Sequence, residues 1–366
     1  MFIKKCLRKI RNLLKKSIYA YFIFPIIQRK KIDIFDYKSI IQKRPDRDFS
    51  FAGENNFYGA SYIIKRYAGI NKNTKLECIA EHGLSIGGYF HGGGDWTING
   101  PKTLLTYADF RVEEIYKRTG KICFNIGPII KYAKCVYDDF TISSIKGNLG
   151  KTLLIFPMHS IEDYQYNNNT ERFIDSVKKI KNQFHFQTVL VSVYFVDIER
   201  GLHIPYLEQG WQIVSSGERC NYDYMDIQKT LMTIADGVYV QGYSSALPYA
   251  ISLGKPGAIF YHEDDVIVDH PGSERKFEQL YDDEYKDAFF EFLHLFSEYS
   301  DIITDEQIEY CNKYCGFNNT KTPEELKTII EFCNELQRRN DINKVAIKPK
   351  YKSLYSFIKP YLSKKI

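Results

Sequence analysis

Short apolar runs alternate with amphipathic segments through the second half of the chain. The runs are rich in Val, Ile and Leu, and each has the length of a single strand. Strands that are apolar throughout are typical of a parallel sheet covered by helices on both faces. The predicted strands are 152–156, 188–195, 211–214, 237–240 and 256–261, and the predicted helices are 171–184, 224–235 and 245–253.

A similar but weaker alternation precedes residue 150, and an acidic, loop-like stretch over 263–286 closes the second series. The chain, at 366 residues, is long enough for two separate cores. The predicted fold class is therefore α/β, with two Rossmann-like domains facing each other across a cleft. The predicted strands of this first series are 77–80, 103–107 and 121–126, its helices are 61–67 and 110–118, and the later helices are 286–297, 304–315 and 322–338.

The distribution of charged residues also divides the chain into segments. Residues 1–31 contain ten Lys or Arg and no acid, and residues 342–366 contain seven Lys and no acid, which leaves 33 basic and 45 acidic residues between them. The net charge of +5 therefore describes an acidic body with two basic ends. The predicted divisions are a basic segment over 1–31, an acceptor-side α/β domain over 32–150, a ligand-binding α/β domain over 151–285, and C-terminal helices with a basic tail over 286–366.

Both basic ends have the pattern of an amphipathic helix. Apolar residues recur every three or four positions between the lysines and arginines, which suits a helix lying on an anionic bilayer surface. The longest apolar run there, Ile18 to Ile27, has ten residues and contains Pro25, so it is too short to span a membrane. The expected location is cytoplasmic and peripheral, on the inner face of the plasma membrane. Docking of these helices on the protein body stays open as an alternative. Nucleic acid is not expected as a partner, since neither end joins a recognisable binding module.

The eight cysteines are scattered and form no CxxC motif, which favours a reducing compartment over a disulfide framework. A zinc site at Cys311, Cys315 and Cys333 lacks a fourth ligand with suitable spacing, so structural cysteines are expected. The segment 147–152 resembles a phosphate-binding P-loop but precedes a strand instead of a helix. The DxD tripeptide at 46–48 follows no predicted strand, and no metal site is predicted.

Two loops of the first domain follow predicted strands. Glu81 and His82 come directly after strand 77–80 and before a glycine-rich tract that also holds His91 and Asp95. Either of the first two could act as a general base toward a hydroxyl group, with the other two in reserve. A flexible turn is the structural alternative. The loop at 127–128 is interpreted as a structural turn.

Two loops of the second domain are stronger candidates for an anion site. His159 and Ser160 follow strand 152–156, although Ser160 could simply cap a helix. The segment Gln241–Ser245 joins a strand directly to a predicted helix, so that serine hydroxyls and free backbone N–H groups could bind a phosphate without a metal. Gly217 and Arg219, one strand away, could add contacts to the same ligand.

The run from Gly217 through Ser244, Ser245 and the Gly254-Lys255-Pro256 turn resembles the nucleotide-sugar half of GT-B-type glycosyltransferases, particularly those of bacterial capsule, O-antigen and lipopolysaccharide biosynthesis. The His159-Ser160 loop is similar to the donor-phosphate loop of bacterial sialyltransferases with this fold. The resemblance implies transfer from a nucleotide sugar to a glycan or lipid-linked acceptor, with no metal or other cofactor. It implies Glu81, His82 and His159 as catalytic residues, and Ser160, Gly217, Arg219, Gly242, Tyr243, Ser244, Ser245 and Ala246 as donor-binding residues.

Other functions remain open on the sequence. A CDP-polyol phosphotransferase or a sugar-nucleotide epimerase would use the same fold and the same kind of phosphate site. A non-catalytic, membrane-associated scaffold would have kept only the fold.

Overall fold

The computed structural model confirms an α/β protein with two Rossmann-like units. It describes residues 33–43, 53–81, 83–84, 86, 100–160, 169–262, 266–268, 274–276 and 283–339. The two basic ends, His82, His91 and Asp95 lie outside these residues, as does the DxD tripeptide. No helix among the described residues is long and apolar enough to cross a membrane.

The first unit contains a three-stranded parallel sheet in the order β1-β2-β3. Its strands are β1 (Ile79–Ala80), β2 (Thr103–Thr106) and β3 (Ile122–Asn125). Its helices are α2 (Ala60–Tyr67) and α3 (Asp109–Thr119), with short 3-10 turns at Gly53–Gly59 and Ile129–Lys131. Helix α1 (Tyr37–Ile41) precedes them in the chain but packs on the core of the second unit.

The second unit contains a five-stranded parallel sheet in the order β6-β5-β4-β7-β8. Leu154, at the centre of β4, pairs with Leu190 of β5 on one side and Val238 of β7 on the other, and all three are fully buried. The strands are β4 (Thr152–Phe156), β5 (Thr188–Ser192), β6 (Gln212–Val214), β7 (Gly237–Gln241) and β8 (Gly257–Phe260). The helices are α4 (Asp139–Leu149), α5 (Thr170–Gln183), α6 (Phe195–Glu199), α7 (Ile204–Leu207), α8 (Tyr224–Ile234) and α9 (Ala246–Ser252).

A short antiparallel pair, β9 (Val266–Val268) and β10 (Glu274–Lys276), lies within the stretch that the sequence predicted to be loop. Three helices follow: α10 (Asp283–Phe296), α11 (Asp305–Cys315) and α12 (Pro323–Arg339). They match the predicted helices closely. The 3-10 turn Phe317–Asn319 joins the last two.

Two predictions about the second unit were wrong. The apolar run 188–195 is not a single strand, because β5 ends at Ser192 and α6 begins at Phe195. Val196 and Ile198, in the helix that follows this strand, are also buried. The composition of an apolar run does not distinguish a buried helix from a buried strand. Helix α4 was missed, since its only buried residue is Ile142 and it has almost no amphipathic pattern.

The packing of the helices crosses the predicted domain boundaries. Helix α4 lies before the predicted domain boundary at residue 150, yet it packs on α8 of the second unit. Lys146 of α4 forms a 2.7 Å ion pair with Asp236. Helix α12 packs on α2 and β2 of the first unit, where the Asn334 side chain accepts a 2.9 Å hydrogen bond from the Glu77 backbone. One apolar cluster contains buried residues of both sheets and of α10 to α12.

Seven cysteines lie in the described part of the chain. All seven are free thiols, and five of them are buried. Cys311 and Cys315 interact with each other, whereas Cys333 interacts with Cys78. No three His, Cys, Asp or Glu side chains among the described residues are grouped to hold a metal ion.

Candidate functional site

A cavity of about 340 Å³ opens at the carboxyl ends of the central strands of the five-stranded sheet. The chain runs from β4 outward through β5 to β6, then returns to β7 on the other side of β4. Connections therefore leave in opposite directions from β4 and β7, and this topological switch point is where open α/β sheets bind ligands. The lining residues in the described chain are Tyr58, Gly83, Leu84, Phe156, Pro157, Met158, His159, Ser192, Val193, Tyr194, Ser215, Ser216, Gly217, Tyr224, Met225, Gln228, Gln241, Tyr243, Ser244, Ser245, Ala246 and Tyr249.

The two serine hydroxyls that follow β7 both line this cavity, and each is oriented by a backbone N–H group. Ser244 Oγ accepts a hydrogen bond from the Ala246 N–H at 3.2 Å. Ser245 Oγ accepts one from the Leu84 N–H at 2.9 Å. A hydroxyl has one proton to donate, and neither of these two bonds uses that proton. The arrangement therefore offers two neutral hydrogen-bond donors to a ligand.

The helix that follows these serines is shorter than predicted. The sequence predicted 245–253, whereas α9 covers only the seven residues Ala246–Ser252. The N–H of Ala246, which also lines the cavity, is already bound to Ser244 Oγ. The hydroxyl groups, more than the helix dipole, therefore give this loop its capacity to bind an anion.

Gly242 and Tyr243 shape the same loop in different ways. Gly242 has a φ of 68°, a left-handed conformation that favours glycine, and its N–H donates to the Phe260 carbonyl at 2.8 Å. The Tyr243 hydroxyl donates to the Leu84 carbonyl at 2.7 Å. Tyr243 and Ser245 therefore bind both backbone groups of Leu84 and join the two units at the wall of the cavity.

The loop after β4 separates its two predicted site residues. His159 lines the cavity, with its ring centroid 5.1 Å from that of Tyr194. Its Nδ1 lies 3.0 Å from the Ser160 carbonyl, which can only accept, so Nδ1 holds a proton and Nε2 is left for a ligand. Ser160 is only 1% exposed, and its N–H donates to the buried Asp197 carboxylate at 3.1 and 3.2 Å. Ser160 is thus placed as an anchor of the loop, behind the cavity wall.

Gly217 and Arg219 are also separated. Gly217 lines the cavity with a φ of 80°, and its N–H donates to Ser215 Oγ at 3.1 Å. The Arg219 guanidinium lies over the Phe57 ring, 4.4 Å from its centroid, and the Arg219 carbonyl accepts a hydrogen bond from the Tyr58 N–H. Arg219 therefore supports the segment that brings Tyr58 to the cavity.

Glu81 lies at the carboxyl edge of the first sheet, among other side chains. One carboxylate oxygen accepts from Arg111 Nη2 at 2.5 Å and the other from Thr106 Oγ1. Arg111 is 1% exposed and also pairs with Glu114. Burial by itself lowers the pKa of Arg111, but Glu81, together with Tyr107 and Glu114, outweighs it and raises that pKa. This geometry suits a buried ion pair better than a free base. His82 lies outside the described residues.

The structure also places residues in the cavity that the sequence did not single out. Tyr58 has a φ of 58°, which is unusual for a residue other than glycine, and its ring lies 4.9 Å from that of Tyr224. Burial raises the pKa of Tyr224, and Tyr58 contributes to the same shift. Gly59 then turns the chain at a φ of 70°, where a Cβ atom would lie 2.5 Å from the Tyr222 carbonyl oxygen. No local signal marks Tyr58, since its position depends on residues about 160 positions away.

Gln241, the last residue of β7, also lines the cavity. It is the first residue of the segment 241–245 that the sequence singled out, although it was not among the expected donor-binding residues.

Comparisons with known proteins are sparse. No family model matches the chain, and no curated protein matches it. Among solved structures, the chain is similar to the wall teichoic acid polymerase TagF, with 13% sequence identity and a TM-score of 0.38. The similarity covers 74% of this chain and 69% of that one.

Proposed function

We propose that this protein is a glycosyltransferase that binds a nucleotide sugar in the switch-point cavity and transfers the sugar without a metal ion. The observation that carries the proposal is the pair of oriented hydroxyls, Ser244 and Ser245, at the carboxyl end of β7. Neutral donors placed where an anion can sit are suited to a phosphate or diphosphate.

The chemistry follows from the charge that develops during transfer. As the bond from the sugar to the phosphate breaks, the leaving nucleotide gains negative charge on its phosphate oxygens. Donors held in place before the reaction stabilise that charge without reorganising. Ser244 and Ser245 would supply this stabilisation, and His159, on the other loop that flanks the switch point, would add an Nε2 donor only as an imidazolium, in which both ring nitrogens carry a proton.

Transfer also requires removal of a proton from the acceptor hydroxyl. We assign this step to the loop that follows β1, which begins with Glu81 and His82. Both oxygens of Glu81 accept hydrogen bonds from Arg111 and Thr106, which favours His82 of the two. The acceptor itself is proposed to be a surface polysaccharide or a lipid-linked glycan.

The proposed location is the inner face of the plasma membrane. The ten basic residues of 1–31 and the seven of 342–366 support it, since basic amphipathic segments bind anionic lipid surfaces. Such a location would bring the enzyme close to lipid-linked acceptors.

A panel of UDP-, CMP-, CDP- and GDP-linked sugars, each incubated with and without EDTA, tests the proposal. We expect transfer, or slow hydrolysis, from one donor at a rate that EDTA leaves unchanged. A reaction that stops in EDTA and recovers with a divalent cation would contradict metal independence.

The products separate the remaining functions. Release of CMP from a CDP-polyol would identify a phosphotransferase, and a changed free sugar nucleotide would identify an epimerase. A protein that neither binds nor converts any donor would be a scaffold, and the proposal would fail.

A further inference from the structure

Gln241 is a buried amide in the wall of the cavity. It ends β7, is 3% exposed, and lies between the β4 loop and the serines of the β7 loop. Gln241 is in register with Phe260 of β8, and the N–H of the next residue, Gly242, donates to the Phe260 carbonyl.

The orientation of this amide is set by a neighbour that can only donate. The Met158 backbone N–H, in the β4 loop, donates to Gln241 Oε1 at 3.3 Å. The oxygen must face Met158, since the amide nitrogen could not accept that bond. The nitrogen, Nε2, is consequently not used by the Met158 bond.

Gln241 Nε2 is buried and has no hydrogen-bond partner among the described residues. Buried amide groups are nearly always satisfied, so an exception in the wall of a cavity indicates an acceptor that enters from solution. On the same loop, the Ser244 and Ser245 hydroxyls accept backbone N–H groups, and neither of those bonds uses the hydroxyl proton. This strand end can therefore offer three neutral donors to an acceptor.

We infer that Gln241 is a ligand-binding residue, with Nε2 donating a hydrogen bond to a phosphate oxygen of the bound nucleotide. Through Oε1 the same amide ties the β4 loop, which carries His159, to the loop that carries the serines. The identity of the ligand as a nucleotide rests on the proposed function. The assignment of Nε2 as a donor to an oxyanion rests on the geometry of this amide.

Two substitutions isolate the donor. Gln241→Glu keeps an oxygen that can accept from Met158 but replaces the amide donor with a carboxylate. Gln241→Met has a similar length and removes both the donor and the acceptor. Gln187→Glu is the matched control, because Gln187 Oε1 also accepts a backbone N–H, from Lys151 at 2.9 Å, but at the exposed amino end of the same sheet.

Binding is measured for each purified full-length variant by calorimetry and thermal shift, with UDP, CDP, GDP, CMP and inorganic pyrophosphate as probes. We expect the Gln241 variants to bind the best probe at least roughly tenfold more weakly than the wild type. The Gln187 variant should bind as the wild type does. A cooperative melting transition of each unliganded variant shows that it is folded. If Gln241→Glu does not fold, the binding result for Gln241→Met decides the test.

A pH series separates donation from a merely structural role. In Gln241→Glu the introduced carboxyl regains an O–H donor, and loses its charge, when it is protonated, and burial favours protonation. The loss of binding affinity in Gln241→Glu, relative to the wild type, should therefore become smaller from pH 8 to pH 5. The loss in Gln241→Met should stay constant over the same range.

Each remaining outcome is decisive. If both Gln241 variants bind the probes as tightly as the wild type does, this inference is overturned and the proposed function is left intact. If the two Gln241 variants lose the same binding affinity and the loss does not change with pH, Gln241 has a structural role only. That result would also overturn this inference. If the wild type binds none of the five probes, the proposed function and this inference both fail.

Discussion

At the scale of single residues, the site depends on how each polar side chain is oriented by backbone groups. Ser244 and Ser245 each accept a backbone N–H, which turns the hydroxyl proton to other acceptors. Ser160 and Arg219 were also expected at the phosphate site. The Ser160 N–H binds the Asp197 carboxylate, and the Arg219 guanidinium lies over the Phe57 ring.

Replacing both Ser244 and Ser245 with alanine tests the central observation. Loss of a preorganised donor to a developing anion lowers kcat by about a hundredfold or more. We expect at least that loss in steady-state transfer from the best donor. Ser252→Ala is the matched control, because Ser252 lies at the other end of α9, where its hydroxyl donates to the Tyr249 carbonyl. Unchanged turnover in the double variant would contradict the assigned role.

Glu81→Gln distinguishes an ion pair from a catalytic base. If Glu81 mainly pairs with the buried Arg111, the variant should lose about 1–3 kcal/mol in free energy of unfolding. Its kcat should stay within about tenfold of the wild type, since general-base loss typically costs ~10²–10⁴ in rate. Urea denaturation and steady-state kinetics measure the two quantities. A much larger loss of kcat at unchanged stability would make Glu81 the base.

At the scale of elements, the cavity exists because loops from separate strands meet at one edge of a sheet. The β7 loop also grips the first unit, through the Tyr243 hydroxyl and Ser245 Oγ on the two backbone groups of Leu84. This contact lies in the wall of the cavity, so the same loop that presents the donors also holds the units together. The helices after residue 283 extend the contact, since they pack within the shared apolar cluster.

Tyr243→Phe removes one of these two bonds and keeps the ring packed on Phe292, whose centroid is 5.1 Å away. We expect a loss of about 1 kcal/mol in free energy of unfolding, because one hydrogen bond is lost and the Leu84 carbonyl is left unpaired. Chemical denaturation measures this loss. Tyr314→Phe provides a control for the substitution on another partly buried tyrosine. An unchanged midpoint for Tyr243→Phe would show that this bond does not stabilise the fold.

At the scale of the whole molecule, charge separates the ends of the chain from its body. Deletion of residues 1–31 should weaken binding to vesicles that contain anionic lipid, since ten basic residues are removed. Cosedimentation with anionic and with neutral vesicles, at low and high salt, measures the effect. Binding that is insensitive to both the deletion and the salt would contradict surface attachment through this segment.

The periodic pattern of the sequence was sufficient for the fold class and for most elements. The buried strands β4, β7 and β8 follow from their continuous apolar composition, because both of their faces are covered. The last three helices follow from their helical periodicity. Helix α4 and the end of β5 did not follow, because their burial depends on contacts with α8 and β6 that local patterns do not encode.

The sequence alone determined that loops after parallel strands carry the polar chemistry, because strand periodicity sets where apolar runs end. Only the tertiary structure decided which of those polar groups meet. Ser245 and Leu84 are 161 positions apart, and Glu81 is held by an arginine 30 positions away. The position of Tyr58, and the lack of a partner for Gln241 Nε2 among the described residues, likewise depend on distant segments. Hydrogen-bond satisfaction is a property of the assembled fold, and it separates the groups available to a ligand from those that hold the protein together.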